Sequence, residues 1–132
     1  MQTTFVMIKP DGVQRGLIGN IISRFEKKGL RLVGLRSFTP SEELASKHYE
    51  VHKDRPFYPE LVKFMTSGPC VPFVIKGENA ILKVRELMGA TDPSEADAGT
   101  IRADFADSID KNIIHGSDSK ESAEREVSFF FD

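Results

Sequence analysis

Thr3-Thr4-Phe5-Val6-Met7-Ile8-Lys9, followed at once by Pro10-Asp11-Gly12, is a short β-rich apolar run stopped by turn residues. It reads as a buried strand ending in a turn. Beyond it Leu17, Ile18, Ile21, Ile22 and Phe25 recur at helical spacing, with Lys27 and Lys28 in the last turn and Gly29 just past it. That pattern predicts an amphipathic helix from Leu17 to Lys28. Leu32, Val33, Leu35 and Phe38 then alternate imperfectly with polar residues, which predicts a second strand from Arg31 to Phe38. The opening third of the chain is therefore strand, helix, strand.

Thr39-Pro40-Ser41-Glu42 has the form of a capping box with Thr39 as the cap, and it predicts a helix reaching about His52. Asp54-Arg55-Pro56-Phe57-Tyr58-Pro59 interrupts that helix. Leu61, Val62, Phe64 and Met65 then predict a short helix closed by Gly68-Pro69, completing a helical hairpin. Val71 to Lys76 reads as a third strand with Pro72 near its beginning, because proline cannot donate to a ladder. A helix from Asn79 to Met88 closes at Gly89. From Gly89 to Lys111 periodicity fades apart from one possible helical turn at Asp92-Pro93-Ser94-Glu95, and a structured loop of this length usually carries function. Asn112-Ile113-Ile114-His115 is a brief last strand ended by Gly116, and Ser119 caps a final helix through Phe129. The order βαβ, hairpin, βαβ predicts an α+β, ferredoxin-like, four-stranded antiparallel sheet, with helices covering a face, an inserted helical hairpin and a long loop.

The 132 residues suffice for one domain with a real core and are too few for two, so a single domain over 1–132 is expected. Hydrophobic content of 39% and charged content of 29% are globular values, which argues against disorder. The start lacks the features of a signal peptide and no run is long enough to span a bilayer, so a soluble, cytoplasmic protein with no membrane partner is expected. A single cysteine, Cys70, excludes an internal disulfide. The net charge of −2 gives no general attraction to nucleic acid, and any anion site must be local.

Three histidines carry different promise. His48 and His52 are four apart on a predicted helix and in principle form a metal pair, although no further ligand signature accompanies them. His115 ends a buried strand, with Asn112, Ser117 and Asp118 beside it and Glu126 on the last helix. An imidazole, with a reference pKa of about 6.5, is largely neutral and nucleophilic near pH 7, and a carboxylate on one ring nitrogen directs reaction to the other. Lys9 after the first strand, Arg85 in the Asn79–Met88 helix and Arg102 in the irregular loop, if they converge, make a clamp for polyphosphate. The first loop does not match a P-loop, and the signatures of protein kinases are missing.

Asn112-Ile113-Ile114-His115-Gly116-Ser117-Asp118 resembles the active-site signature of nucleoside diphosphate kinases. The likeness continues through residues 8–16 (Ile8-Lys9-Pro10-Asp11-Gly12 onward), Asp54-Arg55-Pro56-Phe57, Ser67-Gly68-Pro69, Thr91-Asp92-Pro93 and Gly99-Thr100-Ile101-Arg102. This resemblance implies a ping-pong transfer of the γ-phosphate from a nucleoside triphosphate to a nucleoside diphosphate through a phosphohistidine on His115. It implies that Glu126 and Ser117 hold the ring, and that Lys9, Tyr49, Arg85, Thr91, Arg102 and Asn112 contact phosphates or sugar hydroxyls. Phe57 is then expected to stack on the base, with Leu61 and Ile109 completing an apolar slot, a mode indifferent to base identity. Mg2+ is expected to arrive with the nucleotide, Asp118 reaching it through water. Family members assemble from dimers, so a homo-oligomer is expected, a hexamer with a tetramer as the alternative, and the edge strand from Arg31 to Phe38 is suited to pairing across a dimer. A nucleic-acid-binding module of the same architecture is the rival class, but paired RNA-binding aromatics are missing from the strands.

Overall fold

β1 (Gln2–Ile8), β2 (Arg31–Leu35), β3 (Val71–Gly77) and β4 (Ile114–Gly116) form one antiparallel sheet in the order β2-β3-β1-β4 in the computed structural model, which describes residues 1–131. β1 and β3 are the inner strands, and period-two alternation divides the side chains of β1 between two faces. Val6 and Ile8 meet Ile21 and Phe25 of α2 (Ile18–Lys27). Val84 and Met88 of α5 (Ala80–Met88) belong to the same core. Phe5 and Met7 meet Ala45 of α3 (Glu42–His48), Met65 of α4 (Tyr58–Met65) and Phe130 of α7 (Lys120–Phe131). Helices thus cover both faces rather than the one face expected from the element order. The second layer is why β1 is apolar without interruption from Phe5 to Ile8, four side chains that point alternately to the two faces and are all fully buried.

The segment Pro10-Asp11-Gly12, read as a turn, is the start of a short helix, α1 (Pro10–Gln14), with proline at its first position where a missing N–H costs nothing. The cap of α3 lies two residues later than the capping-box reading placed it. Ser41 is extended and its Oγ accepts the Leu44 N–H at 3.1 Å, while Thr39 and Pro40 lie outside the helix. α3 stops at His48, and Glu50–His52 is a separate 3₁₀ turn. The long loop holds a 3₁₀ turn at Pro93–Glu95, as expected, and an unforeseen helix, α6 (Ile101–Phe105), capped by Thr100 Oγ accepting the Ala103 N–H. Five residues are too few to show periodicity. Ser119 does cap α7, accepting the Ser122 N–H at 3.1 Å.

β2 is an edge strand whose register on β3 shifts between Leu32 and Gly34, and it leaves Val33 and Leu35 about half exposed. Among the described residues no helix is long and apolar enough to cross a membrane.

Candidate active site

The ladder pairs Met7 with His115, so the imidazole projects to the face that Met7 shares with α3 and α7. β4 is the other edge strand, which leaves the ring half-buried rather than sealed. On α7 the inward positions Ala123, Glu126 and Phe130 follow helical spacing, and this stripe aims a carboxylate into the core beside His115. Glu126 Oε1 accepts from Ser117 Oγ at 2.5 Å, and both carboxylate oxygens lie 3.0 Å from His115 Nε2. Burial pushes the Glu126 carboxyl up, but the hydrogen bond and charge of His115, the nearby His48 and the Ser117 bond outweigh it, so the group lies below the usual carboxylate range. An anionic Glu126 makes Nε2 the protonated nitrogen of His115. Nδ1 is left without a protein hydrogen bond among the described residues.

His48 lies behind this pair. Its ring stands edge-on to that of His115, 4.7 Å between centroids, and its Nδ1 is 3.7 Å from Glu126 Oε2, too long for a hydrogen bond. Burial first, and then the neighbouring His115, push its pKa down to about 3, so it stays neutral and forms no ion pair. The metal pair with His52 does not form, because the helix ends between them and His52 lies beside Phe57 instead, 5.6 Å between ring centroids. Sequence reasoning gave His48 no place in the site.

Across the cavity lies the cationic wall. Lys9 caps α1, is buried, and donates from Nζ to Asn112 Oδ1 at 2.8 Å. Burial and then the Arg102 charge push its pKa down to about 8. Arg102 is also buried, and its guanidinium braces three backbone carbonyls, those of Asn112, Gly89 and Ile114, which leaves two of its five N–H groups for the cavity. Burial and then Arg85 bring it down to about 10. Arg85 donates to the Gly116 carbonyl at 3.2 Å and is exposed. Asn112 donates to the Thr91 carbonyl at 3.3 Å, tying the long loop to the strand that carries His115.

These side chains line one cavity of about 290 Å³, which takes in Lys9, Tyr49, Arg85, Thr91, Arg102 and Asn112 as well as His115 and Glu126. Leu61 and Ile109 close its outer end, and Asp118 and Arg125 lie on its wall. Arg125, unforeseen, gets there by preceding Glu126 on α7. Ser117 stands behind Glu126 rather than on the cavity surface. Phe57 lines an adjoining cleft of about 490 Å³ that shares Leu61. Phe57 at 45% and Ile109 at 55% are among the most exposed large apolar side chains, which flank the mouth with hydrophobic surface that no core explains.

Gly116, beside His115, has no room for a side chain: a Cβ there would come within 2.5 Å of Met88 Sδ. For a cation, the described residues offer one cluster, His48, His115 and Glu126, with ligand atoms within 4.8 Å of one another. Two imidazoles and a committed carboxylate do not suit Mg2+, which takes oxygen ligands. That cluster, among the described residues, is therefore no cage for Mg2+. Asp118, held below the ordinary carboxylate range chiefly by the Ser122 hydroxyl, is an exposed anionic side chain on the lining, where Glu126 is a buried one.

An imidazole with one free nitrogen, presented from a sheet edge to a pocket of lysine and arginines, is suited to phosphoryl transfer. The sequence profile of the family described as nucleoside diphosphate kinase matches residues 2–132. The nucleoside diphosphate kinase of Campylobacter fetus is 60% identical over 99% of this chain and 96% of its own length, and that of Thermus thermophilus 54% over 99% and 96%. Among solved structures, the halophilic nucleoside diphosphate kinase of Halobacterium salinarum in complex with CDP superposes with a TM-score of 0.96 at 52% identity, covering 99% of this chain and 88% of that one. The apo enzyme of Encephalitozoon cuniculi gives 0.97 at 44% identity, covering 99% and 89%. The chain belongs to the nucleoside diphosphate kinase family.

Proposed function

We propose that His115 is the residue that carries the phosphate as this kinase transfers it between nucleoside triphosphates and diphosphates. The observation that carries the reading is the Glu126 bond to Nε2, which leaves Nδ1 as the nucleophile. In the first half-reaction the Nδ1 lone pair forms an N–P bond to the γ-phosphorus, the bridging P–O bond breaks, and its electrons leave with the diphosphate. The second half-reaction reverses this toward a different diphosphate, so one pocket serves both. Glu126 and Ser117 fix the tautomer and orientation of the ring. Lys9, Arg85 and the two free N–H groups of Arg102 neutralise phosphate charge, and Asn112, Thr91 and Tyr49 orient phosphate and sugar. Among the described residues the Tyr49 hydroxyl is buried without a hydrogen-bond partner, and because Tyr49 lines the cavity we assign the missing bond to a substrate oxygen. Phe57 stacks on the base with Leu61 and Ile109 around it, which admits purines and pyrimidines alike.

Where Mg2+ accompanies the nucleotide, Asp118 would be the side chain to hold it through water, and the ion would supply charge neutralisation on the phosphates. One such domain acts in the cytoplasm on nucleoside di- and triphosphates, not on nucleic acid or membrane. The half-exposed Val33 and Leu35 on the β2 edge favour self-association, for which we take a hexamer, with a tetramer as the alternative.

The test is to mix purified protein with Mg-ATP, look by mass spectrometry for an acid-labile, alkali-stable phosphoprotein, then add GDP or CDP. Discharge of the phosphate with matching GTP or CTP, lost in His115→Ala, is the expected result. A folded sample that neither labels nor transfers refutes the reading.

A further inference from the structure

Ile113, two residues before His115, has a φ of 75°. That is the left-handed side, rare for any residue and costly for a β-branched one. The Ile114 N–H donates to the Asn112 carbonyl at 2.8 Å, so residues 112–114 form a three-residue turn with the φ sign of the strained γ form. The turn is part of the site: its first residue, Asn112, holds Lys9, and His115 follows the turn directly. A strained turn persists only where its surroundings over-determine it.

The surroundings here are the segment Lys9-Pro10-Asp11-Gly12, of which the proposed chemistry uses Lys9 alone. Asp11 Oδ2 accepts the Ile113 N–H at 3.1 Å, and the Lys9 N–H donates to the Ile113 carbonyl at 2.8 Å. Both polar groups of the strained residue are therefore held from the cap and first turn of α1. Gly12 permits the approach, since a Cβ there would lie 3.0 Å from Ile113 Cγ2 and 2.8 Å from Ile8 Cγ2. We propose that Asp11 is a positioning residue of this kinase, a latch whose carboxylate holds the strained Ile113 turn and so places Asn112 and His115 for phosphate transfer. The proposal rests on His115 being the phosphate carrier.

Asp11 also lies near the Lys9 charge, so loss of activity in Asp11→Ala alone has two explanations. The discriminating measurement is a double-mutant cycle with Ile113→Gly, because glycine adopts positive φ without penalty. Single-turnover phosphorylation by Mg-ATP is followed in all four proteins at a temperature where circular dichroism shows them folded. Asp11→Ala is expected to slow phosphorylation about tenfold or more when Ile113 is present and about threefold or less in the Ile113→Gly background. An equal penalty in both backgrounds overturns the latch, because an effect through Lys9 does not depend on the residue at position 113. Ile113 is fully buried, so Ile113→Gly can fail to fold. In that event amide exchange of Asp11→Ala decides. Ile113 N–H is expected to exchange at least about tenfold faster while the β1 amides keep their protection, and unchanged protection at Ile113 overturns the proposal. The exchange readout needs no activity, so wild-type protein that forms no phosphohistidine would count against His115 and leave Asp11 to be judged separately.

Discussion

Lys9 predicts opposite responses of catalysis and stability to rising pH. Its ammonium is buried, bonded to Asn112 Oδ1 at 2.8 Å and faced by the Arg102 charge, and it titrates near pH 8 rather than 10.5. With a pKa of about 8 it is about nine-tenths protonated at pH 7 and about one-tenth at pH 9. If only the protonated form receives phosphate, kcat/KM, which reports the free enzyme, falls about tenfold between those values. Stability moves the other way. Between pH 8 and 10.5 the unfolded chain holds the proton that the native protein has released, so the unfolded state binds more protons and stability rises with pH. The cost of the buried charge is fully present below pH 8 and is relieved by pH 10.5, a change of about 3 kcal/mol from the displacement of 2.5 units. The assay is kcat/KM with adenine nucleotides from pH 6.5 to 9.5, alongside urea melts of the ligand-free protein over pH 7 to 10.5. Lys9→Arg should be slower but lack the alkaline limb. The stability of wild type relative to Lys9→Met should climb over the same window. A flat kcat/KM to pH 9.5, or the same limb in Lys9→Arg, refutes the assignment of that titration to Lys9.

Replacing Glu126 by Gln keeps the shape but removes the charge that holds His115 Nε2, and the single-turnover phosphorylation rate should drop about 10- to 100-fold, the worth of a charge-assisted hydrogen bond; an unchanged rate contradicts the tautomer argument. Phe57→Ala removes a half-exposed ring at the cavity mouth, so KM for purine and pyrimidine nucleotides alike should rise about tenfold with kcat nearly unaltered. Equal KM values in the two proteins would remove Phe57 from the base slot. Cys70 is fully buried, and burial pushes its thiol up to about 12, so a thiol reagent should label it no faster than the protein unfolds. Rapid labelling of native protein would disprove that protection.

Local patterns were legible where they were long or chemically marked. The apolar run of β1, the 3.6-residue period of α2 and α5, and the Ser119 cap gave elements that the structure reproduces within a residue or two. α6 escaped because its five residues carry no period, although Thr100 before Ile101 was a cap signal. The capping-box reading at Thr39 failed because Ser41 offers an equally good oxygen, and only the path of the chain into α3 chooses between them. His48 was unreadable as a site residue: nothing about a histidine at the end of a helix says that its ring will meet His115 edge-on.

The residues in their linear order were enough for the four strands and the longer helices, the marked polar cluster around His115, and a family signature specific enough to name the reaction. Each depends on neighbours along the chain, through backbone preference, side-chain period or a contiguous motif. Only folding in three dimensions settles that helices pack both faces of the sheet, that Glu126 takes Nε2 and leaves Nδ1, and that three of the five guanidinium N–H groups of Arg102 brace backbone carbonyls. The same holds for Asp11, which meets the strained Ile113 from 102 positions away. Those outcomes join residues far apart in the chain, where burial, charge and strain are set by what packing brings together and no local pattern records the meeting.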